Sequence, residues 1–151
     1  MSMENLKFRA WNKEFKNMIY TDDDLLVCVS NNGIELTDIS ETIGVSDGDI
    51  KDFELMQSTG LKDKNGNEIY EGDIIEFEDE IYRNESMVGI INRAHVIIDN
   101  IQGIFLKNFM RKDSVAYGDY ASYYDFPTHE KSSFFKQCRV IGNVFENKEL
   151  L

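Results

Sequence analysis

Residues 56–77 read MQSTGLKDKNGNEIYEGDIIEF, and no other stretch constrains the fold as tightly. Asn65-Gly66 is the strongest short-range hairpin signal, because a type I′ turn needs positive φ at both central residues. Glu71-Gly72-Asp73 marks a second reversal, from which Ile74-Ile75-Glu76-Phe77 departs as a strand. Reversals this close together fold the segment over itself, so the chain builds from short antiparallel strands.

The flanking sequence follows the same rule. Residues 6–11 alternate with period two, placing Leu6, Phe8 and Ala10 on one face and Lys7, Arg9 and Trp11 on the other. Met18-Ile19-Tyr20 pairs back onto that strand. Thr21-Asp22-Asp23-Asp24 is a solvated turn into a strand over 25–30, and Asn31-Asn32-Gly33 supplies a tight hairpin before a returning strand over 34–37. Residues 38–52 read as loop or one helical turn, since Gly44 and Gly48 break any longer helix. Short strands are predicted over 53–57, 87–93, 95–99, 103–109 and 137–145, with a last helical turn over 147–151. Many short strands with almost no 3.6-residue period predict a mainly β fold, formally β-rich α+β. The Gly-Asp pair at 72–73 resembles the diverging turn of small SH3-like barrels. The expected architecture is therefore one domain over 1–151, with an N-terminal strand-rich extension to about residue 57, an open SH3-like barrel beyond it, and few short helical turns.

Charge then restricts function. Asp and Glu number 28 against 16 Lys and Arg, a net charge of −12. Nucleic-acid binding depends on neutralising phosphates, so this balance is a handicap. A local basic patch would draw best on Lys7, Arg9, Lys13 and Lys16, or on Arg93, Lys107, Arg111 and Lys112. The first residues carry charge at once and lack an apolar core of the signal-peptide kind. The longest apolar run, Leu25-Leu26-Val27-Cys28-Val29, is too short to cross a bilayer. Cys28 and Cys138 read as reduced thiols of a cytoplasm, with Cys28 a small hydrophobe in its strand.

Three blocks together resemble the YopX family of phage and prophage proteins. They are Lys7-Phe8-Arg9-Ala10-Trp11; then Met56-Gln57 with Thr59-Gly60-Leu61-Lys62-Asp63-Lys64-Asn65-Gly66 and Glu68-Ile69-Tyr70-Glu71-Gly72-Asp73-Ile74; and Val140-Ile141-Gly142-Asn143-Val144-Phe145-Glu146-Asn147 with Leu150-Leu151. Asn12 departs from the aspartate that often follows the tryptophan, and Lys148 from a frequent proline. The resemblance implies fold and phage context; it carries no catalytic residues, because the family is defined by no established activity.

Residues that carry chemistry are each matched by a plainer reading. An EF-hand loop aligned on Gly66 puts Leu61 at its first ligand position and Gly72 at its twelfth, where carboxylates are required, and the reading fails. Cys28, His95, His129 and Cys138 have no zinc-ligand spacing. A Cys138–His129 nucleophile–base pair lacks an orienting third group. Glu76, Glu78, Asp79 and Glu80 are sequential, so alternate members face opposite ways, as charges that protect a sheet edge. No catalytic residue, metal or cofactor is expected. The candidate partner surface is the aromatic tract Tyr117, Tyr120, Tyr123, Tyr124 and Phe126, for which packing on its own barrel is an equal reading, together with the Lys7, Arg9, Trp11 stripe, which is more often internal packing of an Arg on a Trp. Asn32, Gly33, Gly60, Asn65, Gly66, Gly72, Asp73 and Gly142 are expected to serve backbone reversal. The functional expectation is a non-enzymatic interaction or regulatory protein that meets a host or phage protein or a second copy of itself, with no membrane. A nucleic-acid-binding small barrel is the alternative.

Overall fold

A computed structural model describes residues 6–21, 25–31, 33–38, 46–48, 52–99, 103–111 and 131–150. The fold is mainly β, built from antiparallel sheets. The chain forms two compact units, Met1–Ser58 and Thr59–Leu151. Among the described residues no helix is long and apolar enough to cross a membrane.

In the first unit, β1 (Phe8–Asn12) pairs antiparallel with β2 (Asn17–Tyr20) on one side and with the start of β6 (Phe53–Lys62) on the other. Ala10 thereby lies opposite Ile19 and Leu55 and is fully buried. The β1–β2 reversal is built by Asn12. Its Oδ1 accepts the N–H groups of Glu14 and Phe15, and Lys16 closes the loop with φ +55°. An aspartate would accept the same two bonds, which makes the Asn12 departure conservative. A second sheet joins β3 (Leu25–Ser30), β4 (Gly33–Asp38) and β5 (Ser46–Gly48). Ala10, Ile19, Leu36 and Phe53 form this unit's core, with Val27 and Leu55 packed against it.

Two expectations are corrected in this unit. The 38–52 region contains β5, whose Gly48 sits opposite Leu36. A three-residue edge strand is held by backbone bonds and leaves no side-chain period to read. Cys28 is exposed, because strand alternation turns Val27 inward and its neighbour out.

The second unit begins with residues 59–62 of β6 and continues through β7 (Glu68–Tyr70), β8 (Asp73–Arg83), β9 (Ser86–Asp99), β10 (Gly103–Arg111), α1 (Lys131–Phe135), β11 (Arg139–Asn143) and a 3-10 turn (Lys148–Leu150). Its main sheet has the order β10-β9-β8-β11. The two strands expected over 87–93 and 95–99 are one, β9, because ten register pairs with β8 carry it without interruption past Ala94. Ile69, Ile75, Phe77, Ala94, Val96, Leu106, Phe135 and Cys138 form the core. Helix α1 is short but plants Phe135 inside it, a burial that stabilises by roughly 2–3 kcal/mol. Phe134 meets the edge of Phe77 with ring centroids 5.0 Å apart.

The glycine-rich segment organises this unit. The Asn65-Gly66 hairpin differs from the expected type I′ form: Gly66 has φ +85°, but Asn65 is not in the left-handed region. Gly66 N–H donates to the Asp63 carbonyl at 3.0 Å, which is the closure of an ordinary four-residue turn, and the left-handed glycine follows it. At the second reversal Gly72 has φ +80°, and the N–H of Tyr70 donates to Asp73 Oδ2 at 2.8 Å. Gly72 also donates to the Val96 carbonyl and accepts from Val144 N–H, so the turn is tied to β9 and to the segment after β11.

Candidate functional site

The residues expected to meet a partner fall in two places. In the N-terminal stripe Lys7 is half-buried, while Arg9 and Trp11 are only 4 % and 9 % exposed. Side chains so enclosed stabilise the fold rather than present a face to a partner. Tyr117, Tyr120, Tyr123, Tyr124 and Phe126 lie outside the described residues, as do His129 and Asn32. Gly33 opens β4, and Gly60 lies within β6 with φ +71°. Gly142 backs onto the Asn147 side chain, where a Cβ would collide with the carboxamide.

Two carboxylates hold the second unit together: Asp63, which the sequence did not single out, and Glu76, which it read as one of a run of edge charges. Asp63 is 4 % exposed. Its Oδ1 accepts the N–H groups of Asn65 and Asn67, and its Oδ2 accepts the Asn67 amide and the backbone N–H of Val140. Burial works to raise its pKa, but these four bonds outweigh burial and hold the carboxyl below its ordinary range. Glu76, central in β8, accepts Arg93 Nε from β9 at 3.2 Å and Arg139 Nη2 from β11. Burial again raises the pKa, and the bonds and charges of the two guanidinium groups again reverse it. Arg93 is thereby engaged with a carboxylate, which subtracts it from the basic patch that nucleic-acid binding would use.

Cys138 is buried in the core and donates its thiol to the Phe134 carbonyl at 3.3 Å. Burial, with the nearby Asp63 charge adding and Lys64 opposing, pushes this thiol up to about 12. A thiol that stays protonated at neutral pH is a poor nucleophile. Among the described residues no three His, Cys, Asp or Glu side chains are grouped to hold a metal ion.

What the tertiary structure does present is a long hairpin, in which residues 77–83 of β8 pair with 86–92 of β9. Their connection is a two-residue loop, Asn84 and Glu85, with φ +49° and +63°. Positive φ at both positions of a two-residue hairpin loop is the type I′ pattern. Sequence reading passed over it because glutamate rarely takes a left-handed conformation. Met87 is 58 % and Val88 39 % exposed, and Glu78, Glu80 and Glu85 of the same hairpin are exposed as well.

Residues 7–151 match the family described as YopX protein. No curated protein matches the chain. Among solved structures, protein EF1440 from Enterococcus faecalis is similar with a TM-score of 0.47 and 24 % identity, over 97 % of each chain.

Proposed function

The chain belongs to the YopX family, and from that premise we propose that it is a phage- or prophage-derived, non-enzymatic interaction or regulatory protein working in the bacterial cytoplasm. The observation that carries this reading is the β8–β9 hairpin. It exposes Met87 and Val88 and ends in a strained turn. Large apolar side chains exposed at the tip of a hairpin mark a contact surface. The polar groups of this unit point the same way. Asp63 and Glu76 are spent on structural bonds, and the Cys138 thiol is held protonated.

The test compares the native protein with a Met87→Lys, Val88→Lys double variant in affinity capture from bacterial lysate and in solution size. A partner or an oligomer lost in the variant supports the reading; neither species with the native protein removes it. Titration with DNA and RNA at two salt concentrations addresses the alternative, where salt-sensitive binding would favour the nucleic-acid reading.

A further inference from the structure

We infer that Asn65-Gly66 is a self-modifying site, at which Asn65 deamidates through a cyclic imide under the control of the Asp63 turn. The chemistry is intramolecular. The backbone nitrogen of Gly66, having lost its proton to solvent base, attacks the side-chain amide carbon of Asn65. The bond from that carbon to the amide nitrogen breaks, the nitrogen leaves as ammonia with a proton from water, and a five-membered imide remains. Water then opens the ring at either carbonyl. One product is an ordinary aspartate, the other an isoaspartate whose main chain runs through the former side chain. Net, the side-chain amide and one water become a carboxylate and ammonium.

Two features favour that attack at this pair. Glycine has no side chain to shield its own nitrogen, and Asn65 and Gly66 are both exposed. Even a Cβ built on Gly66 would meet nothing within 4 Å, so base and water reach the nitrogen. The other described asparagines are each followed by a bulkier residue, as Asn67 is by Glu68 and Asn147 by Lys148. The sequence holds one more Asn-Gly pair, Asn32-Gly33, whose asparagine lies outside the described residues.

The closed turn opposes the same attack. Gly66 N–H donates to the Asp63 carbonyl at 3.0 Å, so the nucleophilic nitrogen keeps its proton in a bond. Asn65 N–H donates to Asp63 Oδ1 at 2.9 Å and Asn67 N–H to the same oxygen at 2.8 Å, which fixes the backbone on both sides. That carboxylate, bonded to the amides flanking Gly66, also stands near the nitrogen that has to become an anion, and like charges disfavour ionisation. Reaction therefore waits on opening of the turn, and its product hinders reclosure. An isoaspartate adds a methylene to the main chain and a charge beside Asp63, so one oxygen no longer spans residues 65 and 67. Asp63 Oδ2 also accepts Val140 N–H at 3.0 Å, so a change at residue 65 reaches β11. Conversion is thus a one-way record of local opening in the second unit.

The experiment incubates the native chain in mildly alkaline buffer, with and without guanidinium chloride, alongside Asp63→Asn and Asn65→Ser. Peptide mapping by mass spectrometry resolves residue 65 from the Asn32-Gly33 pair, and chromatography separates aspartate from isoaspartate. Residue 65 should convert at least about tenfold faster in denaturant than in the folded chain. Asp63→Asn should fall between, because it keeps one acceptor and loses the charge. The converted chain, isolated by its extra negative charge, should show a lower urea midpoint and faster Val140 amide exchange than the unconverted chain. Asn65→Ser, which has no amide to lose, should hold both through the same incubation. No conversion at residue 65 in denaturant overturns the site. Equal rates folded and denatured overturn the control by the turn, as does an Asp63→Asn rate equal to the native one. A converted chain with unchanged midpoint and exchange, or the same losses in Asn65→Ser, overturns the link to β11.

Discussion

Asp63 Oδ2 accepts the backbone N–H of Val140 at 3.0 Å, joining the first hairpin of the second unit to its last strand across 77 positions of sequence. The same carboxylate closes its own turn through Asn65 and Asn67. Local turn and long-range closure are thus one feature. Asp63→Ala should destabilise the protein by about 2–4 kcal/mol, because it leaves several part-buried N–H groups without acceptors. Asp63→Asn should cost less, since it keeps one carbonyl oxygen. Urea unfolding of both variants is the measurement, and equal costs would show that the charge, not the acceptor count, matters.

Acid should unfold the protein through Asp63 and Glu76. Burial raises both pKa values, but the bonds from Val140, Asn67 and Asn65 in one case, and from Arg139 and Arg93 in the other, leave them lowered in the folded state. A lowered folded pKa means that the unfolded chain takes up protons first as pH falls. Their contribution is full above the unfolded values near about 4 and is lost as pH drops through the folded ones. The urea midpoint should therefore hold level down to about pH 5 and decline below about 4, with a shallower decline in Glu76→Gln.

The two thiols should separate cleanly. Cys28 is exposed and should react at once with an aromatic disulfide reagent at pH 8. Cys138, its thiol pushed up to about 12 by burial first and the Asp63 charge second, should react only in denaturant. The linkage has the opposite sense to that of the acids. Folding holds a proton that the unfolded thiol releases, so this contribution is intact below the ordinary thiol pKa and fades as pH rises from there toward 12.

Gly142→Ala should cost about 1–3 kcal/mol, since its Cβ lands on the Asn147 side chain and the well-packed closing turn has to shift. Asn147 earns its place by accepting Asn143 N–H through Oδ1. The double variant Gly142→Ala, Asn147→Ala should cost less than the sum of the singles. Strict additivity in thermal unfolding would mean that the two positions do not meet.

Glu85→Gly should stabilise the second unit by roughly 1 kcal/mol, because glycine takes the left-handed conformation without the penalty glutamate bears there. The thermal midpoint reads this directly. A fall in the midpoint would show that the Glu85 side chain makes a compensating interaction.

The mainly β fold was determined by the sequence alone, because strand periodicity and turn residues are local properties. The alternation that places Ala10 inward, the β1–β2 and β3–β4 hairpins, and the reversals around Gly66 and Gly72 all follow from neighbours in the chain. What the sequence could not settle was whatever depends on distant residues. Asp63 looks like one more turn carboxylate until Val140 arrives beside it. Arg9 and Trp11 look like a surface stripe until the strands on either side bury them. Asn65-Gly66 carries the stronger type I′ signal, yet Asn84-Glu85 makes that turn, because ten register pairs between β8 and β9 can impose a conformation that its residues would not choose.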